Sequence, residues 1–434
     1  MNKNYSLLIL LLLFLYSSLL AQQEKGIYGN ENWLSIWTEF DSGAEEYPEP
    51  TQILSGIISS DLQLSKKETY LLLGDVFVTD STTLSIEAGT VILADYKSKA
   101  SLVISDGSKI MAEGTQTDPI IFSSNRGVRK KGDWGGIFIL GNAPVNKAGN
   151  RWNLDHGLKV PLSGIMSYGG ENSESNSGVL KYVRIEYGGK KTKEYGNLNG
   201  LTLAGVGNET IVENVMVSYC EGNSFYILGG NTILSQLVSY KSKKHDLLFN
   251  YGAQSLLTNS LVVKSPYHTS SSAASGIYLA SYNEKNEVDP SKKGTYLVAE
   301  NLTLLVLSKN LEADTKVGLV HEAMYVQPGT SFSLDKSVFS GFNPAVNLNN
   351  KIFINDENLQ NMRFTNMYFN NCKGNIFSEN VPNNEDLENW YGNSAFNNVY
   401  SFGSDSETFI DVKNLSDPDF RLRINKIIAK TSQN

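Results

Sequence analysis

The chain has 434 residues, a formal net charge of −8 and a pI near 5.3, with 37 glycines, 11 prolines and two cysteines. This mildly acidic balance excludes nucleic acid as a natural partner, because phosphate binding needs a concentrated basic surface. The length exceeds what one compact core usually supports, and the many β-branched and aromatic residues show no long helical period, so an elongated β repeat is favoured over several domains.

At the start, Lys3 precedes an apolar run from Leu7 to Leu15, and Ser17 and Ser18 lead to Ala21 before the polar stretch QQEKG. This reads as a secretory signal over 1–21, cleaved between Ala21 and Gln22. No cysteine stands at that junction, which argues against a lipid anchor there, and no later run is apolar for long enough to span a membrane. The product is expected outside the cytoplasm.

Residues 22–55 differ in character, with Trp33, Trp37 and Phe40 beside acidic residues and two prolines. An open solenoid end exposes unpaired strand groups, so this segment is expected to be an N-terminal cap. The alternative is that Trp33 and Trp37 contact a partner.

From 56 to 425 the pattern is that of a parallel β-helix. LSIEAGTVI at Leu84 is echoed by LVISDGSKI at Leu102, so Leu84, Ile86, Gly89 and Ile92 match Leu102, Ile104, Gly107 and Ile110, 18 residues on. Alternation of apolar and polar residues makes short strands, and each glycine permits a turn. If each unit stacks on the last, like residues lie over like. Further on, VSY recurs at Val217 and Val238, and a polar residue opens successive strands at Asn214, Gln236, Asn259, Asn301 and Asn366. Such residues tolerate a left-handed turn and can form side-chain ladders. Cys220 and Cys372 would then lie roughly 30 Å apart along the axis, too far for a disulfide. A C-terminal tail, 426–434, follows, and the basic run from Phe420 onward is a candidate to close the far end.

Several features invite a functional reading. Arg126, Arg129, Lys130 and Lys131 form a basic loop, read as solvated or, alternatively, as a contact for an anionic glycan or lipid head group. The four histidines have no zinc-ligand spacing; three read as exposed loop residues, and His245 beside Asp246 is a weak candidate base. Arg184 and Glu186 share one face of a strand, giving a surface ion pair or, with Tyr182, a glycan-binding strip. The stretch LAGVGNET is not a phosphate loop, since no helix or Lys-Ser pair completes it.

The segments TYLLLGDVFVTDSTTLSIEAGTVI, DPIIFSSN, GDWGGIFILGNAPVN, YGGENSESNSGVLKYVRIEYGG and LNGLTLAGVG resemble a family of secreted right-handed β-helix proteins common in Bacteroidota-type Gram-negative bacteria, mostly of unassigned function. The resemblance implies that fold, and an address in the periplasm, at the outer membrane or on the cell surface. Family members carry acidic residues in two successive coils. Here Gly222 and Asn223 stand in place of aspartates and Tyr226 in place of a glutamate, and Lys244, His245, Leu248 and Asn250 surround a lone Asp246. Calcium wants six to eight oxygens. No metal and no cofactor are therefore expected, and any ligand of this neighbourhood is expected to be anionic.

Two functions follow. The first is a non-catalytic envelope protein that presents a binding face to a glycan or an outer-membrane protein partner. The second is a lyase or hydrolase of acidic polysaccharide. Tyr182, Arg184, Glu186, Glu221, Tyr226 and Asp246 are the ligand-binding candidates, Trp33 and Trp37 the partner contacts, and no residue stands out as catalytic.

Overall fold

A computed structural model describes residues 25–423 apart from 155, 270–273, 374–375 and 378–383. The expected signal at 1–21 and the tail at 426–434 lie outside the described residues. From Gln52 the chain winds as a right-handed parallel β-helix whose 28 described strands join in one continuous sheet wrapped into three ladders. They are called I, II and III in the order the chain meets them. Ladder I runs from 52–55 through 69–72 and 183–186 to Val399–Ser401, ladder II from 57–58 to Val346–Leu348, and ladder III from Leu62–Leu64 to Met362–Thr365. Long strands such as Gly178–Glu186 bend and serve two ladders.

Like residues do stack, but not at 18 residues. One inward column of ladder I runs Phe122, Ile185, Val217, Ser239, Val262, Leu304. Leu84 faces Leu62 and Ile110 in ladder III, whereas Leu102 faces Val76 and Ile137 in ladder II. The echo therefore joins two corners of the same shape, strand, glycine, strand, with Gly89 at φ +82° and Gly107 at φ +86°. A whole coil here takes 22 residues from Tyr70 to Ile92 and 30 from Ile92 to Phe122. The two VSY copies are likewise out of register by one residue, since Val217 lies on Ser239 and Met216 on Val238.

The polar strand openers take the left-handed backbone expected of them: Asn214, Gln236, Asn259, Asn301 and Asn366 have φ between +45° and +58°. Asn366 takes part in a side-chain ladder, donating to Asp335 Oδ1 at 2.7 Å and accepting from Asn397 Nδ2 at 3.0 Å, whereas Asn259 and Asn301 serve another purpose. Asn259 Oδ1 accepts from the Tyr28 N–H at 2.9 Å, and Asn301 Nδ2 donates to the Gly26 carbonyl at 3.1 Å.

Those contacts belong to a strap. Residues 25–47 run lengthwise over the outside of ladder I, from its last coils back to the coil of Glu186, instead of covering an end. Lys25 Nζ donates to the Asn397 carbonyl at 3.1 Å, the Gly26 N–H to Lys336 at 2.7 Å, and Ser42 Oγ to Tyr187 Oη at 3.1 Å. Beside it lies the hairpin of Phe409–Asp411 and Asp419–Leu422, so the chain up to Arg423 also packs on this side and not over the far end. Ser35 Oγ donates to Asp417 at 2.7 Å, and the Phe40 ring packs on Tyr240 at 4.9 Å and on Phe420 at 5.7 Å. Outward-facing Met216, Val238, Leu261 and Leu305 are buried beneath. Strands apolar on both faces demand a cover on both faces, which is why the aromatics go there. The first strand, Gln52–Ile58, begins inside the stretch expected to be a cap, and its Ile53 stays 63% exposed.

The basic loop holds the strap. Arg129 donates to the carbonyls of Ser42 and Glu45, each at 2.9 Å, and lies over the Tyr47 ring at 4.5 Å. Arg126 pairs with buried Asp133 at 2.9 Å, and Lys131 Nζ donates to the His268 carbonyl at 3.2 Å. Of the four cations only Lys130 is exposed, so this loop is neither freely solvated nor open to a polyanion. Both cysteines are buried, with Cys220 Sγ donating to the Asn223 carbonyl at 3.1 Å.

Candidate functional site

The residues singled out from sequence lie in separate places. Arg184 and Glu186 project outward from ladder I, but the strap buries them to 4% and 1% exposure. Arg184 Nε lies 3.2 Å from Glu186, its guanidinium also donates to Tyr47 Oη at 2.8 Å and pairs with Glu45, and Ser123 Oγ donates to Glu186 at 2.8 Å. Burial, outweighing the adjacent guanidinium, raises the Glu186 carboxyl above the usual carboxylate range. This is a buried pin and not a glycan strip. Tyr182 meets the edge of Trp37 at 5.7 Å, and Trp37 is fully buried, with half-buried Trp33 stacked on it at 6.3 Å, so Trp37 leaves no surface for a partner.

Asp246 is completely buried at the point where Ser239 interrupts the inward column. Lys264 Nζ reaches it at 2.8 Å and Ser239 Oγ at 2.5 Å, so the chain's own ammonium neutralises it. Glu221 sits at the surface paired with Lys243. Tyr226 is buried against Tyr168 and Tyr251 on the outside of ladder II, under loops from 141–170 and 187–200. His156 is buried and stacked on Tyr195 at 3.6 Å, contrary to the exposed reading. Burial first, then the charges of Lys264 and Lys244, pushes His245 down to about 3, too weak a base for general catalysis near neutrality.

A cleft lies elsewhere, at the corner between ladders II and III in the late coils. Two long connections, 280–295 and 349–361, leave the solenoid at this corner on either side of a short turn at 327–330. They make two walls, and the turn makes a floor, enclosing about 830 Å3. Gly294 approaches the floor so closely that a Cβ there would lie 2.2 Å from the Gly329 carbonyl, and Gly329 itself has φ +77°. Gln254 Nε2 donates to the carbonyls of Gly252 at 3.0 Å and Gly294 at 2.8 Å. Gln327 Nε2 donates to Tyr278 Oη at 2.9 Å, and Asn349 Nδ2 to Gln327 Oε1 at 3.1 Å. The floor is thus fixed by the chain's own hydrogen bonds.

Projecting from this frame are Lys293, Lys351 and Arg363, all exposed, with Tyr296 39% and Phe353 79% exposed beside them. Among the described lining residues none is an aspartate or glutamate. Three cations gathered without a carboxylate, in a chain of net charge −8, form a local positive field. Exposed aromatic rings beside amides and cations suit the apolar faces and hydroxyl edges of sugars. Sequence reasoning missed this site because its residues span more than a hundred positions and come together only when coils stack. The available signal was the lengthening of connections after Asn259.

A smaller cleft of about 430 Å3 lies beyond the helix Asp356–Gln360, lined by Asp356, Asp386 and Trp390 among others. Among the described residues no group of three or more His, Cys, Asp or Glu side chains is placed to hold a metal ion, and no helix is long and apolar enough to cross a membrane.

Residues 56–409 match the sequence model of a pectate-lyase-like β-helix domain. No curated protein and no solved structure matches the chain significantly.

Proposed function

The chain belongs to the pectate-lyase-like β-helix family, and from that premise we propose that it is an envelope protein that binds an acidic polysaccharide in the cleft of Lys293, Lys351 and Arg363. The observation that carries this reading is the cluster of three exposed cations, free of carboxylates among the described lining residues, on a fixed floor with Tyr296 and Phe353 beside it. A uronate or sulfate group would meet Arg363 or a lysine as a charge-assisted hydrogen bond, with Tyr296 and Phe353 against the ring faces. The role is binding without cleavage, in the periplasm or at the outer membrane.

The test is titration calorimetry of the mature chain with polygalacturonate oligomers, with chelator present. Binding is expected in chelator, weakening as salt rises, and falling about tenfold or more in Lys351→Ala/Arg363→Ala. Equal affinity in that variant would overturn the assignment of the cleft. Unsaturated products absorbing in the ultraviolet would replace binding by lyase chemistry.

A second reading, hydrolysis, is favoured by one observation: Asp356 and Asp386 line the neighbouring cleft with Trp390, and glycoside hydrolysis requires a carboxyl pair. Asp386→Asn would abolish reducing-end release in that case.

A further inference from the structure

We propose that the cleft beyond the helix Asp356–Gln360 is a second subsite on the path of the same polymer, shaped for a sugar that carries no anionic group. The ligand is then a heteropolysaccharide in which uronates alternate with neutral sugars. This rests on the reading of the Lys293, Lys351 and Arg363 cleft as the seat of an acidic polysaccharide.

One segment serves both clefts. Phe353 and Asn358 line the cationic cleft, whereas Ile354, Asn355 and Asp356 line the smaller one of about 430 Å3. The short helix between them is anchored by buried Leu359, and Asn355 Oδ1 caps it by accepting from the Asn358 N–H at 2.9 Å. Across the second cleft stands the helix Asn384–Tyr391. Leu387 buries it on the core, and Tyr391 Oη donates at 2.6 Å to the carbonyl of Met362, the neighbour of Arg363 in the cationic cleft. Trp390 precedes Tyr391, so that bond also fixes the indole relative to Arg363. A helix with its side chains is about 10 Å across, and a polymer that crosses this one ridge meets both clefts.

The two clefts sort their charges by sign. The first holds three cations and, among the described lining residues, no carboxylate; the second holds Asp356 and Asp386 and, among its described lining residues, no lysine or arginine. All five side chains are exposed, and none has a hydrogen bond or ion pair with another described residue. Their charges are therefore open to a ligand.

A uronate in the second cleft would bring a third carboxylate beside two unpaired ones, a repulsion of the kind that specific sites direct against the wrong ligand. A neutral sugar meets no such penalty. Its hydroxyls can donate to the carboxylates of Asp356 and Asp386 in charge-assisted hydrogen bonds, with Asn389 and Asn393 beside them. Its apolar ring face can lie on half-buried Trp390, whose ring is 6.3 Å from that of Phe396. Once a uronate is seated on the cations, the next sugars meet the second cleft at a raised effective concentration, so the pair of clefts selects the order of sugars along one chain.

Titration calorimetry on the mature chain tests this with two probes of equal length: oligogalacturonate, and a hyaluronan oligomer in which glucuronate alternates with N-acetylglucosamine. The alternating probe is expected to bind about 100-fold more tightly. In Asp356→Asn/Asp386→Asn the preference should shrink from both sides, oligogalacturonate gaining affinity as the repulsion is lifted and hyaluronan losing about tenfold. Both positions are exposed, so the variant should keep its circular dichroism, and opposite shifts for two ligands do not arise from misfolding. Native affinities equal within about threefold, or a double variant that shifts both probes alike, overturn the proposal. Reducing ends released from hyaluronan overturn it too, since the second cleft would then be hydrolytic. If oligogalacturonate binds and loses affinity in Lys351→Ala/Arg363→Ala while hyaluronan is not preferred, only the second subsite falls; if neither probe binds, the cationic cleft falls with it.

Discussion

Arg184→Met removes one guanidinium and keeps most of the buried stem. Three groups lose a charged donor: Glu186 at 3.2 Å, Tyr47 at 2.8 Å, and Glu45. Glu45 keeps a third of its side chain in water, but Glu186 is 1% exposed and would retain only hydroxyl donors from Ser123 and Tyr47. Removing one partner of a buried pair costs about 3–5 kcal/mol, and because Glu45 can resolvate, the lower end, about 3 kcal/mol, is the expected figure. Solenoids unfold coil by coil, so the loss should appear locally, in the strap that carries Glu45 and Tyr47. Hydrogen exchange over residues 42–47 is the assay, and about 3 kcal/mol means roughly a 150-fold rise in the open population at pH 7. The pH dependence has a definite sign. Burial already raises the Glu186 carboxyl against the lowering effect of Arg184, and removing Arg184 raises it further. A carboxyl whose folded value is raised contributes stability that is present below its ordinary range and lost as pH rises through the raised value. The deficit of the variant should therefore shrink on going from pH 7 to about pH 4. Protection within about fivefold of the native chain at pH 7, or a deficit unchanged by acid, would refute the reasoning.

Two further outcomes follow from the same packing. Gly26→Ala should free the start of the strap, since Gly26 has φ +77° and a Cβ would lie 2.6 Å from Thr303 Oγ1; proteolysis after Lys25 should accelerate while the thermal transition of the coils holds. Lys264→Met leaves Asp246 buried without its cation, at a cost of about 3–5 kcal/mol, lowering the melting temperature; Lys264→Met with Asp246→Asn should recover part of it, and no recovery would show that the pair is not coupled.

Some errors of the sequence reading share one cause. The 18-residue echo was a repeat of corners and not of coils, because a strand, a glycine and a strand make the same turn at any of three corners. VSY at Val217 and Val238 matched in letters but not in register, because coil length fixes which residue lies above which. Arg184 and Glu186 looked like surface residues because alternation says which way a side chain points from its strand. It does not say what lies on top.

The sequence by itself determined the class of fold, which residues of a strand alternate as an apolar face, and the left-handed corner positions at Asn214, Asn259 and Asn301. All of these depend on neighbours within a few positions. Only the tertiary structure decided that residues 25–47 strap ladder I, that Lys264 neutralises Asp246, and that Lys293, Lys351 and Arg363 share a cleft. Each of those joins residues that the chain separates by whole coils, and local chemistry carries no record of how long the intervening coils are.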